Sequence, residues 1–451
     1  MKRILTNSFI VLLAGCGDID VADLNNPGED TLTESPTRTT LAAGATGLLI
    51  GARANYADPN GYIAMLGILG RELYNLDAAD TRFISEMLEA SQLNPGSPAF
   101  GGNFWNFPYA NIRNAHNVLH AVDRVPDFTD AEREATRGFA KTIKSLDFLV
   151  VITTRDSQGA PIDVDRGIDE ELAPIEPKET VLAYIATLLD EGAAHLTAGG
   201  LAFPFPLSSG FDGFDTPQTF RQFNRALKAR LETYRGNYQA ANDALVESFL
   251  AVGQPLSLGV YHAYGRGAGD RLNGLNSPNL FVHPRIVADA EAQAASGSRI
   301  DRRVLTCTPA TVTAECRIVE VSPPLVVGGL EGKYVYNKYR RVDAPAPIIR
   351  NEELILLRAE ARFNLGMKTE AFQDVNLVRE LSGGLGPAVL NDSNFTQELF
   401  KQRRYSLLWE GGHSWIDARR LGLLQQLPLD KPDHHIHEFF PIPIAETDAR
   451  Q

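Results

Sequence analysis

"FKQRRYSLLWEGGHSWIDARRLG" (residues 400–422) alternates in charge over a short span: Arg403 and Arg404, then Glu410, then Asp417, then Arg419 and Arg420. Large apolar side chains, Leu408, Trp409, Trp415 and Ile416, lie between these charges. Guanidinium forks pair bidentately with carboxylates, and close opposite charges keep both partners ionised. The segment therefore reads as a structural ion-pair network of Arg403, Arg404, Glu410, Asp417, Arg419 and Arg420, with Trp409 and Trp415 in the core. It locks the C-terminal part of the chain onto what precedes it. A general acid needs a raised pKa, which this setting denies to Glu410 and Asp417. No Ser-His-Asp or Cys-His arrangement occurs elsewhere, so neither catalysis nor a cofactor is expected.

Upstream, two segments share one internal spacing. "RALKARLETYRGNYQAANDALVESFL" (225–250) and "EELILLRAEARFNLGMKTEAFQDVNLVRE" (352–380) each read as helix, glycine-centred turn, helix. Gly236 and Gly366 stand where helices are capped at their C-termini. Ala229 precedes Ala241 by the same interval that separates Ala359 from Ala371, and a larger residue, Leu245 or Val375, follows four positions later. Small residues at these places let paired helices approach closely, as in tetratricopeptide hairpins. Amphipathic periodicity predicts further helices over 104–123, 130–154 and 178–196. The predicted fold class is mainly α, a tetratricopeptide-like helical repeat scaffold with long irregular loops. Strand alternation is confined to short pieces such as "YVYNKY" (334–339). Three long stretches, 74–103, 201–217 and 259–284, read as neither helix nor strand, and loops of that length in a folded domain usually carry function.

The C-terminal motif is similar to the signature of the SusD/RagB family of outer-membrane nutrient-binding lipoproteins, "ERR.ELAFEG.RWFDLRR.G" followed by "PIP..E". Here Gln402-Arg403-Arg404, Leu408-Trp409-Glu410-Gly411, Trp415-Ile416-Asp417 and Arg419-Arg420 precede "FPIPIAETDA" (440–449). "IIRNEELILLRAEARFNLG" resembles the family's entry to its last repeat hairpin, and "FWNFPYANIRNAHNVL" (104–119) its early helix. The resemblance implies a receptor that sits as a lid on a SusC-like TonB-dependent transporter barrel and hands it a nutrient, in many members an oligosaccharide.

Sugars present apolar C–H faces and many hydroxyls, so aromatic rings supply contact area while Asp, Asn and Arg satisfy the polar groups. The irregular stretches hold that mixture. The candidate ligand residues are Asp80, Arg82, Phe100, Asn103 and Trp105 from the first, and Tyr261, Tyr264, Arg266 and Arg271 from the third. A helical-repeat scaffold of the outer membrane that binds only protein is the alternative function.

The chain begins with Lys2 and Arg3, an apolar run over Phe9–Leu13, and Ala14-Gly15. That is a secretory leader, too short to span a bilayer. Leu13-Ala14-Gly15-Cys16 resembles the lipobox of bacterial lipoproteins, making Cys16 the lipidation site and acyl chains the anchor to the outer membrane. Residues 1–15 thus read as a signal peptide, 16–38 as a lipidated tether, and 39–451 as a single α-helical domain exposed at the cell surface. In the oxidising setting beyond the inner membrane, Cys307 and Cys316 can close a short loop, worth roughly 2–3 kcal/mol. The formal net charge of −13 argues against a nucleic-acid partner. "DHHIHE" (433–438) is predicted to put His435 and His437 on one side of an extended strand, but no further ligand is legible, and no metal site is assigned.

Overall fold

The computed structural model describes Leu32 and residues 34–166, 170–267, 270–297 and 300–451. Cys16, the leader and most of the tether lie outside the described residues. Among the described residues, three α-helices start at side-chain caps. Thr129 and Glu132 form a reciprocal capping box, as do Thr37 with Thr40 and Thr216 with Thr219, the last followed by a proline at the first helical position. The helices are α1 (Arg38–Ala52), α2 (Tyr62–Leu69), α3 (Arg82–Ser85), α4 (Asn103–Ala121), α5 (Asp130–Arg155), α6 (Lys178–Ala198) and α7 (Pro217–Tyr234). They continue as α8 (Tyr238–Glu247), α9 (Pro284–Gly297), α10 (Asn351–Asn364), α11 (Lys368–Leu381), α12 (Phe395–Ser406), α13 (His413–Arg420) and α14 (Ile444–Asp448). The helices predicted over 104–123, 130–154 and 178–196 are α4, α5 and α6.

The predicted hairpins are α7–α8 and α10–α11. Ala229, Ala241, Ala359 and Ala371 are all fully buried, so the helix pairs close without intervening side chains. Gly236 and Gly366 adopt φ of 75° and 82°, and no atom lies within 4 Å of where a Cβ would stand, so the backbone conformation alone demands glycine. The next amide in each turn, Asn237 or Met367, donates to the carbonyl of Glu232 or Arg362 at 2.9 Å, closing a Schellman-type cap. These hairpins belong to a longer stack in which α1 packs on α4, then α4, α5, α6, α7, α8, α10 and α11 pack each on the next.

Against the stack lies a five-stranded sheet in the order β1 (Leu73–Asn75), β3 (Leu280–Val282), β6 (Leu330–Tyr336), β5 (Ile318–Val327), β4 (Thr306–Cys307). The pair β4–β5 is parallel and the others antiparallel. A separate antiparallel pair joins β2 (Gly259–His262) to β7 (Ala346–Arg350). The stretches read as neither helix nor strand thus contribute β1, β2, β3 and the single turn α3. They escape a periodicity reading because three or four residues carry too little pattern. The ten-residue β5 was also not predicted. Pro323-Pro324 interrupts its pattern, and the ladder shifts register between Glu320 and Leu325, where prolines are tolerated. A disulfide joins Cys307 in β4 to Cys316, Cα to Cα 6.0 Å.

The C-terminal charges interlock below the surface. Arg403 Nε donates to Asp417 at 2.6 Å, and Arg420 reaches both Asp417 at 2.7 Å and Glu360 of α10 at 2.8 Å. Arg350, at the end of β7, donates to Glu410 at 2.8 Å, and Lys338 also binds that carboxylate. Arg404 donates to the Arg71 carbonyl at 3.0 Å and pairs with Asp289 of α9 at 3.3 Å. Arg419 pairs with Asp156 at 3.3 Å and donates to the Thr153 carbonyl at the end of α5. Trp409 and Trp415 are core residues. Burial alone would raise the Glu410 pKa, but Arg350 and then Lys338 overcome it and hold it near 2. Burial opposes ionisation of Asp417 as well, and Arg403 and Arg420 leave its carboxyl well below the usual range.

Substituting Asp417→Asn leaves the buried Arg403 guanidinium without its carboxylate, while Arg420 keeps Glu360, and is expected to cost about 3–5 kcal/mol in equilibrium urea unfolding at pH 7. Because Glu410 titrates near 2 when folded and at 4.5 ordinarily, its contribution is complete above the ordinary value. It is then lost as pH falls through that interval. In the parent, unfolding midpoints measured from pH 6 to pH 2 should drop steeply below about pH 4.5; a flat profile would contradict the network.

Candidate ligand-binding site

Two of the irregular stretches meet over the end of α1 and enclose a cavity of about 430 Å³. Leu49, Ile50, Pro206, Leu207 and Phe211 give it apolar walls, and Thr46, Ser208, Ser209, Arg53 and Asp270 give it polar ones. The loop over 206–211 closes tightly on β2: a Cβ on Gly210 would lie 1.9 Å from the Tyr261 carbonyl oxygen, so only glycine permits this approach. Arg53, just past α1, is the organising charge. It donates to the Ala263 carbonyl, pairs with Asp270 at 2.8 Å, and stands 5.9 Å from the centre of the Tyr264 ring. The Tyr264 hydroxyl is buried and has no hydrogen-bond partner among the described residues. His262 is buried against Tyr56, and burial, then Arg53, lowers its pKa to about 3, so it lines the cavity as a neutral ring. Volume and a mixed apolar and polar lining are what a pocket for a small polar ligand offers.

The nine candidate ligand residues do not form one group. Tyr261 and Tyr264 line this cavity. The Tyr261 hydroxyl donates to the Ser257 carbonyl, so its ring is held edgewise between this cavity and a second one. That second cavity, about 400 Å³, is lined by Arg303, Arg350, Glu352 and Glu410; Arg350 pairs with both glutamates, and Arg303 pairs with Asp301. Arg271 is exposed beside the first cavity, 3.9 Å from Asp58, and Arg266 is exposed near Asp343, whose charge it helps to hold.

Asp80, Arg82, Phe100 and Asn103 belong to a different patch. Arg82 grips Asp80 bidentately at 2.7 and 2.8 Å and lies 4.8 Å over the Phe100 ring, while Asn103 opens α4 half-buried. Phe100, expected as a contact ring, is only 2% exposed, packed edge-on against Phe83 under the Arg82 roof. Trp105 is corrected in the same way. It is 4% exposed, wedged between Tyr109 and Arg155, because a tryptophan in the first turn of an amphipathic helix gains more from burial than from display. Its edge borders a third cavity of about 480 Å³ with Asp163, Arg166 and Glu446. His435 is exposed and His437 buried, so the extended pair expected in 433–438 does not share a side. Sequence reasoning missed Arg53, Asp270, Ser208 and Ser209. The polar, glycine-rich writing of 201–217 and 259–284 marked the loops, while Arg53 sits at a helix end with no local signal.

No family model and no curated protein matches the chain. Solved structures do. A SusD superfamily protein from Parabacteroides distasonis aligns with TM-score 0.66 at 15% identity, covering 90% of this chain and 97% of that one. The fold is SusD-like. A laminarin-binding SusD-like protein aligns at 0.64 and 16% identity over 91% and 97%. A SusD-like carbohydrate-binding protein from Bacteroides vulgatus aligns at 0.60 and 15% over 83% and 82%. The SusD-like fold therefore spans the helical stack, the sheet and the C-terminal network together, and identities this low account for the absence of a match by sequence. No helix among the described residues is long and apolar enough to cross a membrane.

Removing the unpartnered hydroxyl by Tyr264→Phe should leave stability within about 1 kcal/mol of the parent in calorimetry, or raise it. Tyr339→Phe, which deletes a hydroxyl donating to the buried Trp409 carbonyl at 2.8 Å, should lower it by about 1 kcal/mol.

Proposed function

We propose that this chain is a lipid-anchored receptor of a bacterial outer membrane that captures an oligosaccharide and delivers it unaltered to a SusC-like TonB-dependent barrel. The observation that carries the reading is the aromatic and polar cavity between the loops of a SusD-like scaffold. Its apolar walls suit the C–H face of a pyranose, and Arg53, Asp270, Ser208 and Ser209 suit its hydroxyls. Two of the similar structures are described as laminarin-binding and carbohydrate-binding, which puts glycans ahead of other nutrients. Residues 1–15 act as the lipoprotein signal peptide, Cys16 carries the acyl chains, and 16–38 tethers a single folded unit over 39–451. Turnover is not part of the reading. Of the carboxylates in the C-terminal motif, Glu410 and Asp417 are both held ionised by arginines and have no proton to give.

Titration calorimetry with a glycan panel beginning with laminarin tests the binding step. A saturable heat with unchanged glycan is expected. Ser209→Ala should weaken it roughly two- to tenfold, the value of one neutral hydrogen bond, and Arg53→Ala by more. No heat with any glycan would return the chain to a repeat scaffold that binds protein alone. Mass spectrometry of the envelope fraction should find the mature N-terminus at an acylated Cys16.

A further inference from the structure

Away from the cavity over α1, helix α4 carries two histidines one turn apart, His116 and His120, on a face that follows from i,i+4 spacing. Their rings lie 4.2 Å apart, centre to centre. Asp165, from the loop between α5 and α6, brings a carboxylate oxygen to 3.1 Å from His116 Nε2. One ligand atom from each of the three residues lies within 4.8 Å of the other two. A metal bound at about 2.0–2.2 Å by nitrogen and oxygen needs such atoms somewhat closer. His120 and Asp165 are exposed and His116 half-buried, so small rotations suffice.

The loop is not free to wander from the helix. Arg113, one turn before His116, donates to the Val164 carbonyl at 2.7 Å and the Arg166 carbonyl at 3.4 Å, gripping the backbone on both sides of Asp165. Asp163 accepts from the Asp165 amide at 3.2 Å and pairs with Arg166 at 2.8 Å, fixing the same turn from within. Ile162 and Val164 pack against the helical core. The carboxylate is thus delivered to the histidine pair by a scaffold that is already assembled, which lowers the ordering cost of binding.

We propose that His116, His120 and Asp165 form a three-ligand site for a divalent transition-metal ion, Zn²⁺ in the first instance. Two imidazoles and one carboxylate suit a borderline-soft cation, whereas Mg²⁺ and Ca²⁺ require shells of oxygen. Three protein ligands leave a tetrahedral position open for water or for a donor arriving from a partner. Burial, and then the neighbouring His120, lowers the pKa of His116. Lys144 and Arg113 are the nearby cations, and Asp163 adds a second negative charge beside Asp165. The site stands independently of the glycan reading, because none of its three residues lines the cavity over α1.

Untagged protein, freed of metal by a chelator and dialysed, should bind one equivalent of ZnCl₂ by titration calorimetry and show no response to MgCl₂ or CaCl₂. The double variant His116→Ala/His120→Ala should lose that equivalent. Asp165→Asn should weaken it by at least about tenfold, since even an outer-shell partner of a metal ligand is worth 10–100-fold. Both variants should melt with the metal-free parent by circular dichroism, which separates loss of a ligand from loss of fold. Failure of the parent to bind Zn²⁺ would overturn the proposal. So would undiminished binding by the double variant, which would place the ion elsewhere, for example at Glu89, Asp433 and His434.

Discussion

Asp417 is buried with Arg403 and Arg420, and Arg420 extends the contact to Glu360 in the last repeat hairpin. A few residues away, Glu410 is buried between Arg350 and Lys338, at the junction of β7 and the end of β6. Neither carboxylate is tolerable in the interior without its cations, and neither cation without its carboxylate. The pairs therefore form only when α10, β6, β7, α12 and α13 occupy one arrangement. That mutual dependence joins the helical stack to the sheet. It also sets the position of β7, and through the β2–β7 pairing the position of Tyr261 and the loop that follows.

The stack and the sheet have different tasks. The stack is a run of paired helices whose fully buried alanines let backbones approach, and its stability comes from apolar burial, with the last hairpin forming its own cluster against α12. The sheet joins a hairpin of its two longest strands, β5 and β6, to short strands distant in sequence, β1 beside β3 and β3 beside β6. Two of the cavities lie where long loops meet the helices: the 206–211 loop and the segment after β2 at the end of α1, and the α5–α6 loop beside α4. The pocket over α1 exists because a helix end, a glycine-permitted loop and a strand are held at fixed separation by elements outside it. Arg53 then uses its fork to tie the Ala263 carbonyl and Asp270 together.

Phe100 and Trp105 show where reading by composition fails. An aromatic ring in a polar, glycine-rich stretch has the chemistry of a sugar platform and equally that of a core anchor. Which it becomes depends on whether another surface covers it. Arg82 roofs Phe100, and Phe440 packs on Phe104 and Trp415 nearby, closing a second core that the linear sequence does not announce. Asp80 and Arg82 found each other across one residue, which is local chemistry and legible. Tyr264 and Arg53 met across more than two hundred, which is not.

The sequence by itself determined the helices over 104–123, 130–154 and 178–196, the two hairpins with their glycine turns and close-packing alanines, and the C-terminal members of the buried charge network, because each rests on local spacing. The SusD-like arrangement was legible from motif spacing at the C-terminus. Only the tertiary structure decided which carboxylate each arginine takes, which aromatics are covered, where β5 pairs through its prolines, and that Asp165 arrives beside His116 and His120. These are contacts between segments tens to hundreds of residues apart. Their geometry is fixed by packing of the whole chain rather than by any local preference.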